Sequence, residues 1–235
     1  MNLQANPGKK LFIQVNEKKY ARYPVKTSVV KKGDKISQII KKYVKPHWQE
    51  GDFVCISEKI VAIAQGRSFL IDDIKPSRLA KFLVKFVHKS PYGIGLGSPW
   101  TMQLAIDEVG AWRMLLAATV AAVTKPFGVR GMFYKVAGKR INAIDGPCEY
   151  SLPPSHKSAK LPPKKPHVVC KKLKEIFHKD FFIIDANDLG MEVLGRSTDK
   201  YDDEFFKKLF KDNPLGQSKE QTPIAIVRTN EPMNQ

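Results

Sequence analysis

A chain of 235 residues with 43% hydrophobic and 27% charged content can bury a sizeable core, as one domain or two small lobes, which excludes disordered and collagen-like classes. Its formal charge of +17 attracts anions: nucleotides, phosphorylated or polycarboxylate small molecules, or nucleic acid. Three widely spaced cysteines, Cys55, Cys148 and Cys170, form no CxxC pair, so a disulfide framework or a zinc site is not expected and reduced thiols in the cytoplasm are.

In chain order, Met1 to Lys10 is polar and lacks the apolar core of a signal peptide. Leu11 to Val15 reads as a strand. Ile36, Ile39, Ile40 and Tyr43 have helical spacing, with Pro46 as the stop and Glu50-Gly51-Asp52 as a turn. Phe53 to Ile56 is a short buried strand, and Ile60 to Ala64 is a second apolar run closed by Gln65-Gly66-Arg67. A helix starts near Asp73 to Pro76, with Leu79, Phe82, Leu83, Phe86 and Val87 as its core stripe. Leu104 to Val123 is the most apolar stretch, but Asp107, Glu108 and Arg113 make it one or two buried helices rather than a membrane span.

Phe133 to Ala137 reads as a strand, and the proline- and lysine-rich Ser151 to Pro166 as an exposed connection. Val168, Val169, Leu173, Ile176 and Phe177 mark a helix, Phe181 to Ile184 a buried strand ending in Asp185, Asp202 to Phe210 an amphipathic helix, and Pro223 to Val227 a last strand. Alternating helices and strands predict an α/β (mixed α+β) fold with some parallel pairing. No internal repeat is visible. The chain is expected to form a single domain over 1–235, with lobes at 1–150 and 151–235.

Four segments carry polar chemistry. Phe182 to Gly190 places Asp185 and Asp188 after an apolar strand, a way to hold a hard cation, although turn-capping aspartates explain the pattern as well. Asp145 stands before Gly146-Pro147 in a tight turn, and nearby Cys148 has no histidine close in sequence to activate it. Gly93 to Gly97, before the helix start Ser98-Pro99, matches neither phosphate-binding fingerprint, and a plain turn is the stronger reading. Asn213 to Pro223 is a dense polar loop leading into a strand. The lysines from Lys157 to Lys174 have no interleaved aromatic side chains, which argues against single-stranded nucleic acid.

The order of these segments resembles the coenzyme F420-0:L-glutamate ligase (γ-glutamyl ligase) family. Lys32-Gly33-Asp34, Gly51-Asp52-Phe53-Val54, Lys59-Ile60-Val61 and Gln65-Gly66-Arg67 are similar to its amino-terminal blocks. Asn142-Ala143-Ile144-Asp145, Ile183-Ile184-Asp185, and Gly216-Gln217 through Pro223 to Arg228 are similar to three further motifs in the same order.

The resemblance implies a two-lobed fold with a shortened second lobe, a homodimer, and a reaction that adds L-glutamate to an anionic acceptor such as F420-0 through an acyl phosphate. A folate-type acceptor, or a basic binding protein that kept the fold without the chemistry, are the alternatives. It implies Mg²⁺ or Mn²⁺ and GTP (or ATP), with Asp145, Asp185 and Gln217 as metal ligands. Tyr23, Pro24, Val25 and Lys26, with Gly216, Gln217, Ser218, Glu220 and Thr222, become nucleotide-contacting loops. No catalytic residue is assigned, and neither a membrane nor a nucleic acid is expected as partner. The sequence departs from the family's pattern with Ala186 in place of a hydroxyl residue, Cys148 in place of an asparagine, Ile63 in place of a lysine, and Glu58 and Lys59 in place of a hydroxyl pair.

Overall fold

The computed structural model describes residues 3–87, 95–129, 131–138, 141, 143–147, 152–153, 155–187, 190–216 and 219–230. The chain divides into two compact units, 1–66 with 163–235 and, inserted between them, 67–162. The division therefore falls at Gly66/Arg67 and Pro162/Pro163 rather than near residue 150.

The first unit opens with the hairpin β1 (Phe12–Val15) and β2 (Lys18–Val25), turning on Asn16 and Glu17, both at positive φ. Helix α1 (Ile36–Ile39) continues as a π turn over Ile40–Val44 and a 3-10 turn over Lys45–His47, where Pro46 stops it. Strand β3 (Phe53–Ser57) runs directly into helix α2 (Glu58–Ala64), which is the second apolar run.

The inserted unit begins with β4 (Ser68–Leu70) and helix α3 (Arg78–Leu83), followed by α4 (Pro99–Val109), α5 (Ala111–Thr124), α6 (Met132–Ala137) and β5 (Ser158–Lys160). Ser98 caps α4 by accepting from the Thr101 amide, with Pro99 at the first helical position, as the sequence signals. Strands β4 and β5 pair antiparallel, so the chain enters and leaves this unit side by side.

The remainder of the first unit is α7 (Pro166–Phe177), β6 (Asp180–Asn187), β7 (Gly190–Arg196), α8 (Asp203–Leu209) and β8 (Ile224–Asn230). Its six-stranded mixed sheet has the order β1-β2-β8-β3-β6-β7, with β3 and β6 as the parallel pair. Period-two alternation splits the buried strands between two cores. Val54, Ile56, Phe181, Ile183, Ile224 and Ile226 face α1, α2 and α7. Phe53, Cys55, Phe182, Ile184, Ala225 and Val227 face α8, where Phe205, Phe206 and Tyr201 close an aromatic cluster. No helix among the described residues is long and apolar enough to cross a membrane.

Several expectations are corrected. Residues 133–137 are helical, not extended: glycines at positive φ, Gly131 and Gly138, bracket the segment, and Arg113 of α5 donates to the Val136 carbonyl, so packing overrides β-propensity. The segment 151–166 is not simply an exposed connection, because Ser158 to Pro163 is buried and contains β5. Phe82 and Phe86 lie outside the core, their rings meeting each other while Ala80 and Leu83 face inward. Of the two helices within the apolar stretch, α4 is buried along Leu104, Ala105 and Ile106, but α5 buries only Met114 and Ala117. Strand β6 does not end at Asp185 but runs on to Asn187.

Candidate active-site rim

The sheet of the first unit has one end where its chemistry collects. Val25, Ile224, Ile56 and Ile183 form a cross-strand row, through the pairs Val25–Ile224, Ile224–Ile56 and Ile56–Ile183. The parallel pairing ends at Ser57–Ile184, so the next residues are Glu58, which opens α2, and Asp185, which continues β6. Lys26 and Thr27 leave β2 at this same end, and Thr222 enters β8 there. Open α/β sheets bind ligands at the carboxyl ends of their parallel strands, and this rim is that end.

Asp185 is half-buried and paired directly across the hairpin with exposed Glu192. Like charges directly opposite on a sheet repel. Glu58, buried at the first turn of α2, adds a third carboxylate along the rim. All are hard oxygen donors of the kind Mg²⁺ and Mn²⁺ prefer, so the residues present fit a divalent cation in kind. Among the described residues no three acidic, histidine or cysteine groups converge on one metal position. Water and substrate oxygens would then complete the coordination, as is usual for Mg²⁺.

Ala186 alternates to the other face and packs against the aromatic cluster. Asn187 closes the hairpin by accepting from the Gly190 amide at 3.1 Å. Asp188 lies outside the described residues.

The two stretches expected to meet a nucleotide are joined to each other. The Thr27 amide donates to the Gln221 carbonyl at 3.1 Å, and the Gln221 side chain donates back to the Thr27 carbonyl at 2.8 Å. Tyr23, Pro24 and Val25 are not a loop but the end of β2, opposite Ile226, Ala225 and Ile224, and Lys26, just beyond it, is exposed. Pro24 is tolerated because β1 pairs no further than Ala21, which leaves that side of β2 without a strand to receive an N–H.

The loop from Asn213 is built tightly. Thr222 is buried and donates to the Leu215 carbonyl at 2.8 Å, while Asn6 donates to both Thr222 Oγ1 and the Pro214 carbonyl at 2.8 Å. Gly216, at φ +75°, lies under Glu220: a Cβ there would sit 2.6 Å from the Glu220 carboxyl carbon, so no other residue fits without displacing it. Asn213, fully buried at φ +44°, leaves its Oδ1 without a hydrogen-bond partner, an acceptor aimed from a strained loop. Gln217 and Ser218 lie outside the described residues.

The sequence blocks explain one another in space. Gly33 donates to the Ala64 carbonyl at 2.9 Å, tying Lys32-Gly33 to Gln65-Gly66. Arg228 grips buried Asp52 with two bonds of 2.9 and 2.8 Å, and its guanidinium lies 5.1 Å over the Tyr23 ring. The Asp52 hydrogen bonds and charge hold the Arg228 pKa above its ordinary value.

Asp145 belongs to the inserted unit. Its side chain is exposed, and its backbone forms a two-bond bridge with buried Lys160, at 3.0 and 2.8 Å. Asn142 and Cys148 lie outside the described residues. Cys55 and Cys170 are buried and free; burial pushes the Cys55 thiol well up and Cys170 to about 12, so neither is a nucleophile at neutral pH.

Asn6, Thr27 and Glu192 are rim residues that sequence reasoning missed, while Gln221 lies in the polar loop it singled out. Asn6 acts across 208 and 216 positions and carries no local signal. Glu192 could have been found by writing β6 and β7 as a hairpin around Asn187 to Gly190.

No curated protein matches the chain. The family model described as F420-0:gamma-glutamyl ligase matches residues 24–214, from the end of β2 to the loop that leads into β8. With its blocks interlocked in space and most of its length matched, the chain belongs to the F420-0:gamma-glutamyl ligase family.

Proposed function

We propose that this protein adds L-glutamate to an anionic, cofactor-type acceptor of the F420-0 class, in the cytoplasm and as a homodimer, consuming GTP (or ATP) with Mg²⁺ or Mn²⁺. Membership of the γ-glutamyl ligase family is the observation that carries this reading. An acceptor carboxylate oxygen takes the γ-phosphoryl group as the nucleoside diphosphate leaves. The glutamate amine then attacks the acyl carbon, phosphate departs, and the amine loses a proton. A bound divalent cation supplies charge neutralisation for the phosphoryl group.

In this reading Asp185 is the first unit's ligand to that cation, and Asp145 and Gln217 keep the ligand roles implied by the resemblance. Gly216, Ser218, Glu220 and Thr222, with Tyr23 to Lys26, hold the nucleotide. The reciprocal Thr27–Gln221 bonds support this, because they fix the two nucleotide segments to one another. The chain's charge of +17 favours anionic substrates throughout.

A second reading is a basic binding protein that kept the fold and lost the chemistry. Ala186 favours it, since that position packs into the aromatic cluster and offers no oxygen. Incubation with Mn²⁺, GTP or ATP, glutamate and either F420-0 or a folate separates the two. The ligase reading expects phosphate release that requires glutamate and a product heavier by one glutamyl residue. Metal-dependent release absent with every acceptor and both nucleotides would reject it.

A further inference from the structure

Helix α5 buries one side and leaves the other bare. Met114 and Ala117 enter the core of the inserted unit. Trp112, Leu116 and Val123 are 83%, 54% and 59% exposed, and Phe127, in the 3-10 turn after the helix, is 81% exposed. At about 100° per residue, positions 112, 116, 119 and 123 share one face, opposite Met114 and Ala117. Thr119 turns its hydroxyl back to the Leu115 carbonyl at 3.0 Å, so even the polar member of the stripe has its donor satisfied within the helix. A continuous apolar stripe of this kind marks a contact surface.

Charge selects the occupant. From Val109 to Ile144 the sequence contains no acidic residue, and it contains Arg113, Lys125, Arg130, Lys135, Lys139 and Arg140. Among these Arg113, Lys125 and Lys135 are described and exposed. A second copy docked stripe to stripe would bring the same cations against these, which like-charge repulsion opposes, so a homodimer would use another face. The helix is 14 residues long, about 21 Å at 1.5 Å per residue, too short to cross a bilayer. A short helix with an apolar stripe, a tryptophan near its start and an exposed phenylalanine just after its end, in a stretch of sequence whose charges are all positive, suits the headgroup region of an anionic membrane.

We propose that α5 and the turn ending at Phe127 dock this protein on an anionic lipid surface, lying in the interface rather than spanning it. This amends the expectation of no membrane partner.

Flotation of the full chain with vesicles tests it, comparing phosphatidylcholine alone with an equimolar mixture of phosphatidylcholine and phosphatidylglycerol. Binding is expected only to the mixture and should weaken as salt rises. The double variant Trp112→Ala/Phe127→Ala should lose about tenfold in partitioning, with circular dichroism and melting unchanged because both side chains are exposed. Lys125→Gln/Lys135→Gln should also weaken binding to the mixture. The proposal is overturned if the mixture is not bound, or if the aromatic variant binds as well as the parent. It is equally overturned if the stripe instead mediates self-association, or RNA binding, that the aromatic variant abolishes.

Discussion

At the scale of single residues, two ion pairs hold the frame that presents the rim. Asp52 is fully buried against Arg228, whose own side chain is 20% exposed. Asp52→Ala strands that guanidinium and should cost about 3 kcal/mol in urea unfolding, the usual penalty for breaking a buried pair. Arg22, fully buried, forks onto Asp212 and also donates to the Leu209 carbonyl. Burial alone would raise the Asp212 carboxyl, but the Arg22 hydrogen bonds and charge, with backbone amides, outweigh it and hold the group below its ordinary value. A depressed carboxylate stabilises the fold above its unfolded pKa and loses that contribution as pH falls through the folded one. Asp212→Asn should therefore lower the urea midpoint at neutral pH and flatten its fall as pH drops below the ordinary carboxylate range of about 4. An unchanged acid slope would remove Asp212 from the account. Gly216→Ala meets both a left-handed backbone and the Glu220 carboxyl. It should lower stability to urea by the ~1–2 kcal/mol of strain and, by displacing Glu220, weaken GTP binding in calorimetric titration.

At the scale of elements, packing decides what local pattern leaves open. Gly195 of β7 lies against the start of α7: a Cβ there would stand 2.6 Å from the Pro166 carbonyl carbon. Gly195→Ala should destabilise the protein by about 1–3 kcal/mol through overpacking, read as a lower urea midpoint with an unchanged slope. The strands β1, β3 and β8 and the helices α4, α7 and α8 were legible in the sequence, because their apolar periods and caps agree with their packing. Residues 133–137 were not, since Phe133, Tyr134 and Val136 favour a strand and only the helix beside them settles the matter. Lysines and prolines made 158–163 look exposed, yet Lys160 is buried and sends its ammonium toward the Ser155 and Ser158 carbonyls at 3.4 Å. Asp185 was found from the sequence, but the rim around it was not. Its neighbours come from β3, β7 and the amino terminus, whose register only a folded sheet reveals.

At the scale of the whole molecule, the unit 67–162 interrupts a sheet-bearing unit that otherwise holds the rim, the polar loop and the interlocked blocks. Each unit encloses its own core. The sequence pairs Asp145 with Asp185, and the fold assigns one to each unit. Of the two, Asp185 is embedded in a rim of carboxylates beside the expected nucleotide segments, so the account turns on it. Calorimetric titration of Mn²⁺ in the presence of GTP tests this most directly, with the parent protein compared to Asp185→Ala. The parent should bind Mn²⁺ saturably and the variant should lose at least about tenfold in affinity, with both proteins equally folded. Equal Mn²⁺ affinity in the two would contradict the assignment of Asp185 as a metal ligand.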